Sequence, residues 1–312
     1  MTWRPSALVR STLPLLFAVV AGCGSSSTDP TRDDLDFSGS WNPSTNFGGP
    51  WGHDRMPVES AHFRVYSGYA SQEARRYTSS VAEESLSEIL DYFAITETAF
   101  DFLPRHADGK VHVLAIKDQD FGNNNGFAYR DGLVVISRES PNYARFGFSE
   151  ARYKGLIKHE TTHVVEFLLI GDPARQQASD AWWREGFANY LSGPRSTSIT
   201  STQQLEAWRS SHAQLAGGGN PIAIHSFADF PEEVVDGGKI GTYYDVFELA
   251  VRYLLDPDGG GTTPQDVVAL YDALGEGFEF RQAAQAHLGI SLGEYEAGFW
   301  DLMLAFLDPG AP

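Results

Sequence analysis

His159 and His163 stand four residues apart in the run Ile157-Lys158-His159-Glu160-Thr161-Thr162-His163-Val164-Val165, with Glu160 directly after the first histidine. On an α-helix, positions four apart share one face about a turn from each other, because the helix repeats every ~3.6 residues. Two imidazoles so placed can reach one Zn²⁺ at about 2.0–2.1 Å. Glu160 then falls beside a water polarised by the ion, where it can take a proton. These residue types at this spacing suit hydrolysis at a zinc site that still lacks one ligand. The competing interpretation is a helix with two surface histidines. Against it stand the apolar flanks Leu156, Ile157, Val164, Val165, Phe167, Leu168 and Leu169, which mark the segment as buried. Buried imidazoles and a buried carboxylate need compensation, and a metal ion supplies it.

A catalytic zinc takes three protein ligands and keeps one position open. Glu166 sits on the same helix, a turn beyond His163, and does not converge easily with both histidines. A histidine six residues past His163 would signal the metzincin pattern, but that position is Leu169. Glu185 is the better candidate. Twenty-one residues separate it from His163, enough for a turn and a second helix packed against the first.

The pair of motifs His159-Glu160-Thr161-Thr162-His163 and Trp182-Trp183-Arg184-Glu185-Gly186-Phe187-Ala188-Asn189-Tyr190 resembles the gluzincin metallopeptidases, the clan of thermolysin and the aminopeptidase N-like enzymes. The resemblance extends over residues 60–312, with a connection between the motifs somewhat longer than is usual in the clan. It implies one Zn²⁺ held by His159, His163 and Glu185, with Glu160 as general base. It also places Asn189 where thermolysin-like enzymes keep an aspartate that orients a ligand histidine; an amide oxygen can accept the same ring N–H without the charge. The stretch Tyr243-Tyr244-Asp245-Val246-Phe247-Glu248-Leu249-Ala250-Val251-Arg252-Tyr253-Leu254 resembles the aminopeptidase-like helix that opens with an oxyanion-binding tyrosine. Spacing favours Tyr244 for that role, with Tyr243 next to it; the alternative is that both tyrosines simply pack at a helix start. Aminopeptidase N-like enzymes bind the substrate amine through a glutamate on the strand before the metal helix. The corresponding stretch here, Gly126-Phe127-Ala128-Tyr129-Arg130, has none. The expected activity is therefore a zinc metallopeptidase acting on a peptide or protein substrate, more an endopeptidase than an aminopeptidase. Two other classes stay open: a non-catalytic zincin-fold binding lipoprotein, and a zinc hydrolase of non-peptide substrates.

The elements that must position these groups follow from periodicity. His62-Phe63-Arg64-Val65-Tyr66 and Lys110 to Lys117 alternate as strands, and residues 72–93 carry apolar side chains every three or four positions. A loop rich in Asn and Gly over Gly122 to Gly126 leads through Phe127-Ala128-Tyr129 to a strand at Gly132–Ser137. That strand could offer an edge to an extended peptide, or form a hairpin with no ligand role. The metal helix is capped by Ser149 and stops at Gly171-Asp172-Pro173; Asp180 opens the helix that carries Glu185. Further helices are expected at Thr202–Leu215, Tyr243–Leu255, Pro264–Leu274, Phe280–His287 and Leu292–Leu307. The class is α+β. With the resemblance, it becomes a two-lobed zincin fold. An N-terminal mixed sheet with the active-site helix (59–171) precedes a mostly helical lobe carrying the third ligand (172–312).

Composition bounds the partners. A net charge of −18 leaves nothing basic to neutralise phosphates, which argues against nucleic acid. Arg4 and Arg10 precede the apolar run Leu13 to Val20, which is short for a bilayer span, and Val20-Ala21-Gly22-Cys23 resembles a bacterial lipobox. Residues 1–22 are expected to be a lipoprotein signal peptide, with Cys23 acylated and residues 23–58 serving as its tether. The protein would then face the periplasm or exterior of a bacterial cell envelope, held to the membrane by its lipid. Cys23 is the single cysteine, so disulfides and thiol catalysis are excluded.

Overall fold

The runs Val111-His112-Val113-Leu114-Ala115-Ile116 and Leu133-Val134-Val135-Ile136-Ser137 are rich in β-branched residues and form the two central strands of a sheet. The computed structural model of the chain describes residues 57–67, 72–96, 109–116, 126–128, 132–137, 150–171, 179–193, 240–255 and 261–307. Within these, strands β1 (Val58–Glu59), β2 (Phe63–Tyr66), β3 (Val111–Ile116), β4 (Gly126–Ala128) and β5 (Leu133–Ser137) make one sheet in the order β1-β2-β3-β5-β4. β2, β3 and β5 run parallel, in a register that sets Val65 beside Val113 and Val113 beside Val134. β1 and β4 flank them antiparallel. Consecutive residues on the central strands, Val113 with Leu114 and Val134 with Val135, are buried, so both faces are covered as parallel strands require.

Of the two alternatives for Gly132–Ser137, an edge or a hairpin, the pairing agrees with the second. β5 is flanked by β3 on one side and by antiparallel β4 on the other. Among the described strands β4 is outermost, with Phe127 opposite Val135. Local alternation fixes which residues face one way along a strand, but not the order of strands in a sheet.

Helix α1 (Gln72–Phe93) connects β2 to β3 and buries Val81, Leu86, Ile89, Leu90 and Phe93, the side chains that recur at helical spacing. The remaining helices are α2 (Glu150–Ile170), α3 (Ala181–Ser192), α4 (Ile240–Leu255), α5 (Pro264–Glu276), α6 (Phe280–Ala283) and α7 (Leu292–Leu307). α6 does not continue as an α-helix to His287 as expected; it passes into a π-helical turn over Ala284–Leu288. The mixed content places the protein in the α+β class. Buried apolar residues before and after Gly171 share one core. At its centre Phe93 of α1, Trp183 and Phe187 of α3, and Tyr271 of α5 meet ring to ring, with Phe93 and Phe187 stacked at 5.8 Å and Trp183 and Phe187 at 5.3 Å. Ser149, the helix expected at Thr202–Leu215, and everything before residue 57, Cys23 included, lie outside the described residues.

Candidate metal centre

α2 places His159 and His163 one turn apart, and α3 packs across it and brings in Glu185. The Nε2 atoms of the two histidines are 3.1 Å apart, and Glu185 Oε2 lies 3.4 Å from each. The three donors thus close a nearly equilateral triangle. Ligand atoms held at about 2.0–2.1 Å in a tetrahedral site stand roughly 3.3–3.4 Å from one another, so the triangle has the size of one face of such a site. The two imidazole rings meet edge to face, with centroids 4.7 Å apart and planes crossing at 88°. All three residues are buried, and the group could hold a metal ion. Glu160 follows His159 on α2 and has no exposed surface.

As protein groups alone, these side chains form a tightly coupled charge cluster. Burial by itself would make His163 harder to protonate, but the Glu185 charge and the hydrogen bond to Glu166 outweigh it and push His163 up to about 10. Burial would likewise favour neutral Glu185, yet the neighbouring His163 and His159 hold its carboxyl well below the usual carboxylate range. The fold therefore keeps a negative carboxylate between two imidazoles, an arrangement suited to a cation.

The surroundings explain how the geometry is held. Thr161 Oγ1 and Thr162 Oγ1 donate back to the carbonyls of Ile157 and Lys158 at 2.7 and 2.9 Å, which satisfies their hydroxyls within α2. Lys158 pairs with Glu88 and ties α2 to α1. On α3, Trp182 and Trp183 are buried beside Glu185, and Arg184 donates to the Ser179 carbonyl at 3.0 Å with its Nε 3.8 Å from Glu185 Oε1. Gly186, next to the ligand, lets α3 press onto α4. A Cβ there would collide with the Phe247 carbonyl and stand 2.9 Å from Val251 Cγ2. A second close approach involves Glu160. A Cβ on Gly126 of β4 would meet the Glu160 carboxylate, with Glu160 Cδ and Leu156 Cδ1 both at 2.9 Å. The edge strand and the predicted base are therefore in direct contact.

The structure thus brings His159, His163 and Glu185 together, with Glu160 next to His159 along α2. Asn189 is buried one turn past Glu185 on α3, its main-chain carbonyl accepting from the Gly193 N–H and the Ser192 hydroxyl. Tyr243 and Tyr244 lie near the start of α4, the helix packed against α3. One functional neighbour was set aside in the sequence. Glu166, weighed there only as a ligand, is 1% exposed, and its Oε2 lies 3.0 Å from His163 Nδ1, on the ring side away from the triangle. A carboxylate three positions after a candidate ligand histidine on the same helix is the signal that marks it. No protein-family model matches the sequence, and no curated protein is significantly similar to it.

Proposed function

We propose that this protein is a zinc-dependent peptidase of the gluzincin kind, cleaving internal peptide bonds through an activated water. The observation that carries this is the closed triangle of His159 Nε2, His163 Nε2 and Glu185 Oε2, with the buried Glu160 next to His159 along α2. Zn²⁺ bound there would polarise the scissile carbonyl and make water acidic enough to lose a proton near neutral pH.

The rest of the chemistry belongs to side chains. Glu160 takes the proton from the attacking water and returns it to the departing amine. Its burial keeps it close to the reaction and out of competing solvent hydrogen bonds. A tyrosine from the start of α4, Tyr244 with Tyr243 next to it, donates a hydrogen bond to the oxyanion. Asn189 would offer its amide oxygen to the ring N–H of His159, since that of His163 is taken by Glu166. β4 contributes the substrate platform: it is the outer strand of the sheet and touches Glu160 through Gly126, so a peptide pairing along it runs past the base. The absence of a glutamate in Gly126-Phe127-Ala128-Tyr129-Arg130 removes the usual grip on a free amine and favours internal bonds. Acylation at Cys23 would hold the enzyme on a bacterial envelope membrane, and no described helix is long and apolar enough to cross one.

Glu160→Gln tests the reading against a peptide library. It is expected to keep its zinc and lose cleavage by a factor on the order of 100 or more, as removal of a general base does. Cleavage at the wild-type rate would overturn the mechanism. Wild-type protein that binds zinc and cleaves no peptide would favour a binding module or a hydrolase of other substrates.

A further inference from the structure

Beyond the three ligands, the polar atoms around the centre continue in one direction. Glu166 Oε1, on the side of the carboxylate away from His163, accepts the Tyr271 hydroxyl at 2.7 Å. The Tyr271 oxygen in turn accepts the Trp183 indole N–H at 3.2 Å. Tyr271 and Trp183 have no exposed surface, and Tyr271 is 105 residues along the chain from Glu166. Burial first, and then the Glu166 charge, push the Tyr271 hydroxyl well above its ordinary value, so it is present as a donor. Trp183 lies two residues before Glu185 on α3. The contacts therefore form a chain that runs from His163 through Glu166 and Tyr271 to Trp183, on the helix that carries Glu185.

A buried carboxylate facing only apolar neighbours is costly, and one facing two donors is not. The order of donors also has a consequence for the ligand. With Glu166 Oε2 accepting the Nδ1 proton, the His163 lone pair resides on Nε2, the atom that faces His159 and Glu185. With Tyr271 holding the other oxygen, the carboxylate cannot rotate away. We infer that Glu166, Tyr271 and Trp183 are positioning residues that fix the tautomer and aim of His163, so that α5, which supplies no ligand, sets the metal affinity of the centre.

The inference rests on His159, His163 and Glu185 binding a metal, and its test separates the two claims. Zinc affinity of the full chain is measured by competition with a chromophoric chelator, together with the visible spectrum of the cobalt-substituted protein and the melting temperature of the metal-free form. Glu166→Ala is expected to weaken zinc binding about 10–100-fold, the usual effect of losing such a partner, and to shift the cobalt bands. Glu166→Gln keeps an acceptor for the ring N–H and is expected to fall between Glu166→Ala and wild type. Tyr271→Phe removes one hydroxyl with the ring packing retained, and about a 10-fold loss of affinity with a cobalt shift is expected. If Glu166→Ala does not fold, the other two variants carry the test. Wild-type protein binding zinc, with Tyr271→Phe and Glu166→Gln both within twofold of it and an unchanged cobalt spectrum, would overturn the inference and leave the metal site standing. A change confined to the melting temperature would overturn it too. Wild-type protein that binds no zinc would remove the site itself.

Discussion

Five ionisable side chains, His159, Glu160, His163, Glu166 and Glu185, are all at most 5% exposed within two adjacent helices. Four of them answer one another: the imidazoles face Glu185, and Glu166 faces His163. Spacing alone revealed most of this group, because a helix turns four positions into one face and the group that could hold a metal ion is local to two helices. The contact between Gly126 and Glu160 was not legible. It depends on how closely a strand approaches a helix, which no window of sequence encodes. Gly126→Ala tests its importance. The added methyl meets the carboxylate and Leu156 Cδ1, so one or both must shift. Zinc content should stay as in wild type while peptide turnover falls on the order of 100-fold, the scale of a misplaced catalytic group. Equal turnover in the two proteins would show that Glu160 tolerates the displacement.

Among the elements, the long amphipathic ones were readable and the short or reordered ones were not. α1 repeats its apolar side chains over six turns, so its limits follow from the pattern. β4 has three residues and no alternation to speak of, and its place at the sheet edge comes from pairing with β5. α5 matters most to the centre after α2 and α3, since it carries Tyr271. Its start is fixed by a capping box. The Thr263 hydroxyl accepts the Asp266 N–H at 3.3 Å, and the Asp266 carboxylate accepts the Thr263 N–H at 2.9 Å, with Pro264 in the first turn. Thr263→Ala should cost about 1 kcal/mol, or roughly 2–4 °C in melting temperature. The Thr263 hydroxyl and N–H hold the Asp266 carboxyl below its ordinary value of 3.8. A group whose folded value is depressed contributes its full stability above the unfolded value and loses it as pH falls through the folded one. Thermal melts of wild type and Asp266→Asn should therefore differ by a constant margin above about pH 4 and converge below it. A margin that widens on acidification would show that the charge is not what the cap uses.

At the level of the whole molecule, the sheet, the metal helix and the later helices share one core, so α2, α3 and α5 cannot shift independently. The aromatic meeting of Phe93, Trp183, Phe187 and Tyr271 sits where α1, α3 and α5 converge, and the chain of polar contacts from His163 ends in it. Rigid packing of this kind suits a site whose ligand atoms must hold their separations to a few tenths of an ångström. The net charge of −18 is a property of the surface and solubility, and the centre is built from the buried side chains. The most direct measurement is the metal content of the purified full chain, determined by elemental analysis for wild type and for His163→Ala and Glu185→Ala. Wild type should carry about one zinc per chain, removable by chelator, and each variant should carry little, because three protein ligands are needed to hold the ion. Folded wild-type protein that takes up no zinc from a metal-replete solution, or variants that hold as much as wild type, would contradict the assignment of the centre to these residues.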